Sequence, residues 1–166
     1  LNLQNVNWDK SVNKPTIYKS QIKDVIFGEN VKVVEPLNIY GCEIGNNTFI
    51  GPFVEIQKDV KIGKNSKVQS HSFICELVTI GDNTVIAHGV MFINDLFANG
   101  GPANGDKNLW KSTTIGNNVS IGSNATILPV SICDNVVIGA GSVVTKNITE
   151  AGIYVGKKKK KIRGIK

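Results

Sequence analysis

Between Ile44 and Phe92 the apolar residues keep a period of six. Ile44, Ile50, Ile56, Ile62, Val68, Ile74, Ile80, Ile86 and Phe92 follow one another at that interval without a break. Helical faces recur at about 3.6 residues and strand faces at 2, so neither element accounts for it. A period of six calls for a short strand, a turn, and a new strand whose key side chain returns to the same place. Three such sides close one coil of about 18 residues, which is the signature of a parallel β-helix built from hexapeptides. Ile44, Ile62 and Ile80 are then expected to stack at a spacing of about 4.8 Å.

The positions around the ladder agree. Gly follows it at Gly45, Gly51, Gly63 and Gly81, and Asn or Asp comes next in Gly45-Asn46-Asn47 and Gly81-Asp82-Asn83. Corners of this kind need residues that tolerate positive φ. Two positions before each rung stands a small or β-branched residue (Cys42, Thr48, Val54, Val60, Ser66, Ser72, Val78, Thr84, Val90), the inward alternation of a strand. Upstream, Phe27, Val33 and Ile39 carry the pattern, with Val25, Val31 and Leu37 as inward partners. Downstream come Ile115, Ile121 and Ile127, then Ile132, Ile138 and Val144. The steps from Ile39 to Ile44 and from Ile127 to Ile132 are five residues rather than six, a deficit that a corner can absorb.

The 18 rungs amount to six coils. The fold class expected is all-β, with a β-helix over residues 25–147, an irregular N-terminal segment over 1–24, and a cap and basic tail over 148–166. A short strand is expected at Thr16 to Lys19. Residues 95–112 are rich in Gly, Asn and Pro and keep no register, so they are expected to protrude as a loop. Long irregular loops in compact domains are usually functional, and Leu96, Phe97, Leu109 and Trp110 give this one something to bury.

Charge changes the picture little. Lys157 to Lys161, Arg163 and Lys166 supply seven of the 19 basic residues, and what remains is near balance with the 13 acidic ones. A basic tail on a neutral body argues against a broad nucleic-acid face. It reads either as a solvated tail or as a local phosphate contact. No apolar run is long enough to span a membrane as a helix, and no leader segment is evident. Cys42, Cys75 and Cys133 lack metal-ligand spacing and are expected to be reduced thiols in a cytoplasmic protein.

Coil arithmetic also gathers polar side chains. Glu76 and Asn94 are 18 apart, each two residues after a rung, so they should share a corner on consecutive coils. His71 and His88 are 17 apart near a different corner. Solvated turn residues are the plainer account of two corner histidines. Zinc sites take three or four ligands, and two histidines fall short of the three found in carbonic anhydrases of similar architecture, so no metal is expected.

Several stretches carry a resemblance. Ile121-Gly122-Ser123, the run from Val137 to Lys146, and the ending Lys160-Lys161-Ile162-Arg163 resemble the acetyl-coenzyme A half of the hexapeptide-repeat acyltransferases. Phe53 to Lys58, Ser70 to Glu76 and His88 to Asp95 are similar to the subgroup that N-acetylates nucleotide-activated amino sugars, among them UDP-2-acetamido-3-amino-2,3-dideoxy-glucuronate and dTDP-linked 3-amino-6-deoxyhexoses. The resemblance covers about residues 27–163. It implies a left-handed winding, a homotrimer, and acetyl-coenzyme A as co-substrate between neighbouring β-helices. The implied partners are the nucleotide sugar and further copies of the chain, with no nucleic acid and no membrane insertion.

Carried over by position, Ser123 and Ala140 offer backbone N–H groups to the pantetheine arm or thioester, and Lys146 and Arg163 meet coenzyme A phosphates. Asn94 orients the amine, Asp95 accepts from the amine or a sugar hydroxyl, and His88 takes the released proton or positions the thioester. His71 and Glu76 bind sugar groups. Two features depart from the family. Ser123 and Ala140 are 17 apart, one short of a full coil, and Val155-Gly156-Lys157 stands where Asn-Pro-Ala is common. Two other functions remain open on the sequence, a sugar O-acetyltransferase and a non-catalytic β-helix scaffold.

Overall fold

A computed structural model describes residues 16–156, together with the backbone of 160–163. The described chain is a parallel β-solenoid of about seven turns with almost no helix, and its hexapeptide repeats are those of the left-handed β-helix.

Three sheets form its sides. The first holds Ile22–Lys23, Asn38–Tyr40, Glu55–Ile56, Phe73–Ile74, Met91–Phe92, Thr126–Ile127 and Val143–Val144, one strand per turn. The second holds Ile26–Phe27, Glu43–Ile44, Lys61–Ile62, Val78–Ile80, Thr113–Ile115 and Ser131–Ile132. The third runs Lys32–Val33, Phe49–Ile50, Lys67–Val68, Val85–Ile86, Ser120–Ile121, Val136–Ile138 and Gly152–Val155, and ends on Lys160–Arg163, which pairs antiparallel. From Ile22 to Val144 the chain passes from first to second to third sheet and back.

The rungs stack in register. Ile44 pairs Ile62 and Ile62 pairs Ile80; Ile50 pairs Val68, which pairs Ile86. Ile39, Ile50, Ile56, Ile74 and Ile86 are fully buried. Each such side chain contributes about 1.5–3 kcal/mol by leaving water. Between the rungs, Thr48, Ser66 and Thr84 face inward, and each finds partners within the coil stack. The Thr48 hydroxyl donates to the Gly63 carbonyl at 2.9 Å and accepts from the Ser66 amide at 3.2 Å; Ser66 and Thr84 repeat the arrangement one coil on.

The winding takes in more of the chain than the six-residue ladder marks. Ile22 pairs Ile39, and Tyr154 pairs Ile138. The strand expected at Thr16 to Lys19 is absent, and the first strand is Ile22–Lys23 instead. The reason is the coil length: Ile22 lies five residues before Phe27, the same short step seen between Ile39 and Ile44, and it lands on the first sheet. Beyond Val144, Ile148 bridges Ile132 and carries the second sheet one rung further.

Corners are made by residues with positive φ. Between the second and third sheets the corner residue is Asn30, Asn47, Asn65, Asn83, Asn118 or Asn135, with φ between 54° and 58°. Their amides bond along the stack, Asn47 donating to Asn65 and Asn65 to Asn83 at 3.2 Å each. The loop expected at 95–112 leaves between Phe92 and Thr113, at the corner of the first and second sheets, and Val78–Ile80 pairs directly with Thr113–Ile115 beneath it. Within it Lys107–Leu109 forms a single 3-10 turn capped by Asp106. Leu109 and Trp110 are half-buried, whereas Leu96 and Phe97 are exposed.

Two tests follow from this packing. Ile86→Ala should lower stability by about 2–5 kcal/mol, read as a fall in the urea midpoint, whereas Thr79→Ala on the exposed face of the second sheet should stay within about 0.5 kcal/mol. The thiols provide the other. Burial pushes Cys42 up to about 11 and Cys75 up to about 12, which disfavours their thiolates. At pH 8 a thiol reagent should label half-buried Cys133 and spare the other two until pH approaches those values or the chain is unfolded.

Candidate active site

The third-to-first corner gathers one column of outward residues. Rungs Val68, Ile86, Ile121 and Ile138 pair in sequence, so the residues two beyond them, Ser70, His88, Ser123 and Ala140, stack at one position. The 17-residue interval between Ser123 and Ala140 leaves them aligned. The missing residue is taken up at the first-to-second corner, between Ile127 and Ile132, and the Gly141 amide donates to the Ser123 carbonyl at 2.8 Å. Among the described residues neither the Ser123 nor the Ala140 amide has an acceptor. Gly122 makes the close approach here: a Cβ at that position would lie 2.5 Å from the Ala140 nitrogen.

In the same column the Ser70 hydroxyl lies 2.8 Å from Nδ1 of His88. This contact holds the ring at Nδ1, and among the described residues Nε2 has no partner. If Nδ1 carries the proton and donates to Ser70, Nε2 presents a lone pair and can accept a proton. His71 sits one residue over, at φ 63°, with its ring stacked on Phe53 at 4.9 Å between centroids. Both histidines are exposed and share this corner on consecutive coils.

The first-to-second corner holds the other expected residues. Asn94 donates from Nδ2 to the Glu76 carbonyl at 3.3 Å, so the two are brought together. The Glu76 amide donates to Oε1 of Gln57 at 3.3 Å, and Gln57 donates to Glu55 at 3.1 Å. The Glu76 carboxylate is paired with the ammonium of Lys107 on the loop, which also lies 5.4 Å from the Trp110 ring centroid. The hydrogen bond to Glu76, reinforced by the Glu76 and Asp59 charges, holds the Lys107 pKa above its usual value. Tyr40 borders this cluster; burial, then the Glu55 and Glu76 carboxylates, raise its phenol pKa. Asp95 folds the loop: its Oδ1 accepts from the Phe97 amide at 2.9 Å and its Oδ2 from the Ala103 amide at 2.7 Å.

The expected residues therefore form two half-sites within one chain. His71, His88, Ser123 and Ala140 stand at one end of the first-sheet strands. Glu76, Asn94 and Asp95 stand at the other, with exposed Lys146 two residues after the rung at Val144. His88 and Asn94 are six positions apart, at most about 20 Å along an extended chain, and the chain turns at Gly89. The backbone of Arg163 pairs with Ile153 at the end of the third sheet, and its side chain lies outside the described residues. Sequence reasoning missed Ser70, Tyr40, Gln57 and Lys107. Ser70 stands 18 before His88 and was within reach of the same arithmetic; nothing in the sequence ties Lys107 to Glu76. Among the described residues no three His, Cys, Asp or Glu side chains come together as a metal site.

Comparison with known proteins places this architecture. Residues 41–76 match the bacterial transferase hexapeptide model of six repeats, and residues 112–146 match the hexapeptide repeat of succinyl-transferase. Both matched stretches are hexapeptide repeats, in keeping with the left-handed β-helix described above. Among individual proteins, the bifunctional protein GlmU of Clostridium botulinum is 34% identical over 154 residues, 87% of this chain. The chain spans only 33% of that relative's length. AntD, an N-acyltransferase from Bacillus cereus solved with dTDP-4-amino-4,6-dideoxyglucose and coenzyme A, is 26% identical with a TM-score of 0.75, over 86% of this chain and 84% of that one. A maltose O-acetyltransferase from Clostridium difficile is 27% identical with a TM-score of 0.51, over 89% of this chain and 70% of that one.

The Lys107–Glu76 pair carries a prediction for the loop. With its pKa raised from 10.5, Lys107 stays charged through neutral pH, and the pairing is lost only as pH climbs beyond that value. Glu76→Gln removes the charge at every pH. It should speed amide exchange across residues 103–111 at pH 7 while the buried coils keep their protection, and wild type should reach the same loop exchange only in strong alkali.

Proposed function

We propose that the chain is an N-acyltransferase that moves an acetyl group from acetyl-coenzyme A to the amino group of a nucleotide-linked sugar. The observation that carries this reading is the 2.8 Å contact between Ser70 and His88, set in one column with the unbonded amides of Ser123 and Ala140. A thioester lying along that column would have its carbonyl oxygen near N–H donors, and such donors stabilise a tetrahedral oxyanion at about 2.7–3.1 Å. AntD, which binds an amino sugar linked to dTDP as well as coenzyme A, supports the acceptor class.

The sugar amine attacks the thioester carbonyl carbon, a C–N bond forms, and the C–S bond breaks. The amine gives up one proton, which Nε2 of His88 accepts and returns to the departing sulfur, so the coenzyme leaves as its thiol and the imidazole is restored. Such an amine titrates near an α-amino group, at about 8, so part of it is already neutral at pH 7. Orientation then matters more than a strong base, a task for Asn94, with Glu76 and His71 holding sugar groups and Asp95 shaping the loop beside them. Lys146 and Arg163 would contact the coenzyme phosphates.

His88 and Asn94 of one chain stand at opposite ends of the Met91–Phe92 strand, too far apart to act on the same amine. Copies packed side by side, in the trimer this reading includes, would set the His88 corner of one against the Asn94 corner of the next. The outer face of the first sheet, with Phe73, Met91, Leu128 and Val143, offers apolar surface for that packing, and Phe53 beside it is 55% exposed. Among the described residues no helix is long and apolar enough to cross a membrane. The reading places the enzyme in the cytoplasm, where its product would feed surface-polysaccharide synthesis.

The test is coenzyme A thiol release from acetyl-coenzyme A against a panel of UDP- and dTDP-linked amino sugars. One member of the panel should turn over. His88→Ala should then cut kcat by about 10²–10⁴-fold, and Asn94→Ala should reduce turnover sharply, both with unchanged melting temperatures. Turnover of sugar hydroxyls alone, or failure to bind acetyl-coenzyme A at millimolar concentration, would overturn the reading in favour of O-acetyl transfer or of a scaffold.

A further inference from the structure

The outer face of the third sheet carries a groove that contains no residue of either half-site. It has a volume of about 510 Å³ and is lined by Asn30, Lys32, Asn47, Phe49, Lys67 and Gln69, with Thr48 at its floor. Lys32, Phe49 and Lys67 are register partners on three successive coils. Two ammonium-bearing side chains therefore flank one aromatic ring, each a coil away, with Cα atoms of the two lysines about 10 Å apart.

The charges here are unbalanced. Elsewhere Lys61 pairs with Glu43, Lys64 with Asp82 and Lys107 with Glu76. No carboxylate lines the groove, and among the described residues neither Lys32, Lys67 nor Gln69 has a side-chain partner. The asparagine amides are committed to the corner stack and the Thr48 hydroxyl to Gly63. What the groove leaves unspent is two cations, one amide and the half-buried Phe49 ring.

We propose that this groove binds a nucleoside diphosphate, with the base against Phe49 and the phosphates between Lys32 and Lys67. Stacking on an aromatic ring is tolerant of base identity, and lysine ammonium groups bind phosphate as point charges. The direction of the groove assigns the ligand's other end. Gln69 adjoins Ser70, the partner of His88. A group attached to the second phosphate and passing Gln69 arrives at the His88 corner after about 10 Å. Two sources share this chemistry, the nucleotide half of a nucleotide sugar and the adenosine diphosphate portion of coenzyme A. The groove lies on the early coils, away from Ser123 and Ala140, which assigns it to the nucleotide sugar. That assignment rests on the acyl-transfer reading, whereas diphosphate binding does not.

Calorimetric titration of the intact chain decides the matter, with UDP and dTDP in one arm and coenzyme A and adenosine 3′,5′-diphosphate in the other. UDP or dTDP should bind, with affinity falling as salt rises. The double substitution Lys32→Glu and Lys67→Glu should weaken that binding at least about tenfold and leave the coenzyme arm unchanged. Phe49→Ser should weaken it further, and Lys61→Glu on the second sheet should not. Melting curves report whether each variant folds. Nucleotide binding untouched by the double substitution, or absent in wild type at millimolar ligand, overturns the site; loss confined to the coenzyme arm overturns the nucleotide-sugar source. If nucleotides bind through the groove while no amino sugar is acylated, the acyl-transfer reading fails and the diphosphate site stands.

Discussion

Parallel pairing between successive coils is the constraint on which everything else in this chain depends. Each rung is bonded to the rung one coil before and one coil after, so a side chain cannot shift along its strand without breaking bonds on both sides. A one-residue slip would also turn every inward isoleucine outward. The coil length is therefore free to vary only where pairing is absent, at the corners. The chain uses that freedom: ladder partners lie 17 apart in Ile22 and Ile39, 18 apart in Ile56 and Ile74, and 17 again in Ile121 and Ile138. The stack stays in register through all of these changes. That is why Ser123 and Ala140 align despite the short coil between them.

The same rule explains where polar chemistry is permitted. Inside the prism, the buried serine and threonine hydroxyls among the described residues are those of Thr48, Ser66, Ser72, Thr84, Thr113 and Ser142, each small enough to bond the backbone of another turn, and no buried side-chain polar atom lacks a partner. Everything larger or charged stands on an outer face or a corner. Corners also collect backbone conformations that cost energy outside glycine and asparagine. Phe53, His71 and Leu77 sit at φ of 58°, 63° and 70°. For residues of that size positive φ is uncommon. The coil stack holds them there, and His71 thereby projects from the corner against Phe53.

How much of this was legible follows from what period six can and cannot encode. The rungs from Phe27 to Val144 were readable because apolar burial repeats in sequence as it does in space. The register partners Ile22 and Tyr154 escaped because the short first coil and the closing turn break the interval that reveals the others. Glu76 beside Asn94 was readable by coil arithmetic, since both hang from rungs of the first sheet. Lys107 was not, because it lies in a segment with no register, and its placement over Glu76 depends on Asp95 folding the loop and Asp106 capping its one helical turn. Asp95, which the resemblance places near the substrate, also holds two loop amides.

The faces of a straight prism offer a small molecule an open groove, as on the third sheet, but no enclosing wall. Among the described residues the loop between Phe92 and Thr113 adds such a wall by insertion. That loop stands over Glu76 and Asn94, at the opposite end of the first-sheet strands from Ser70 and His88. A single chain thus presents one edge with an imidazole beside unbonded amides and another edge with a carboxylate, an amide and the inserted loop. On the acyl-transfer reading each edge supplies only part of what joining an amine to a thioester requires. Apolar side chains on the sheet between them mark the surface that would have to be covered for the edges of two copies to meet. On the acyl-transfer reading, assembly is then part of the chemistry: the rigid register that aligns each half within a chain is also what keeps the halves of one chain apart.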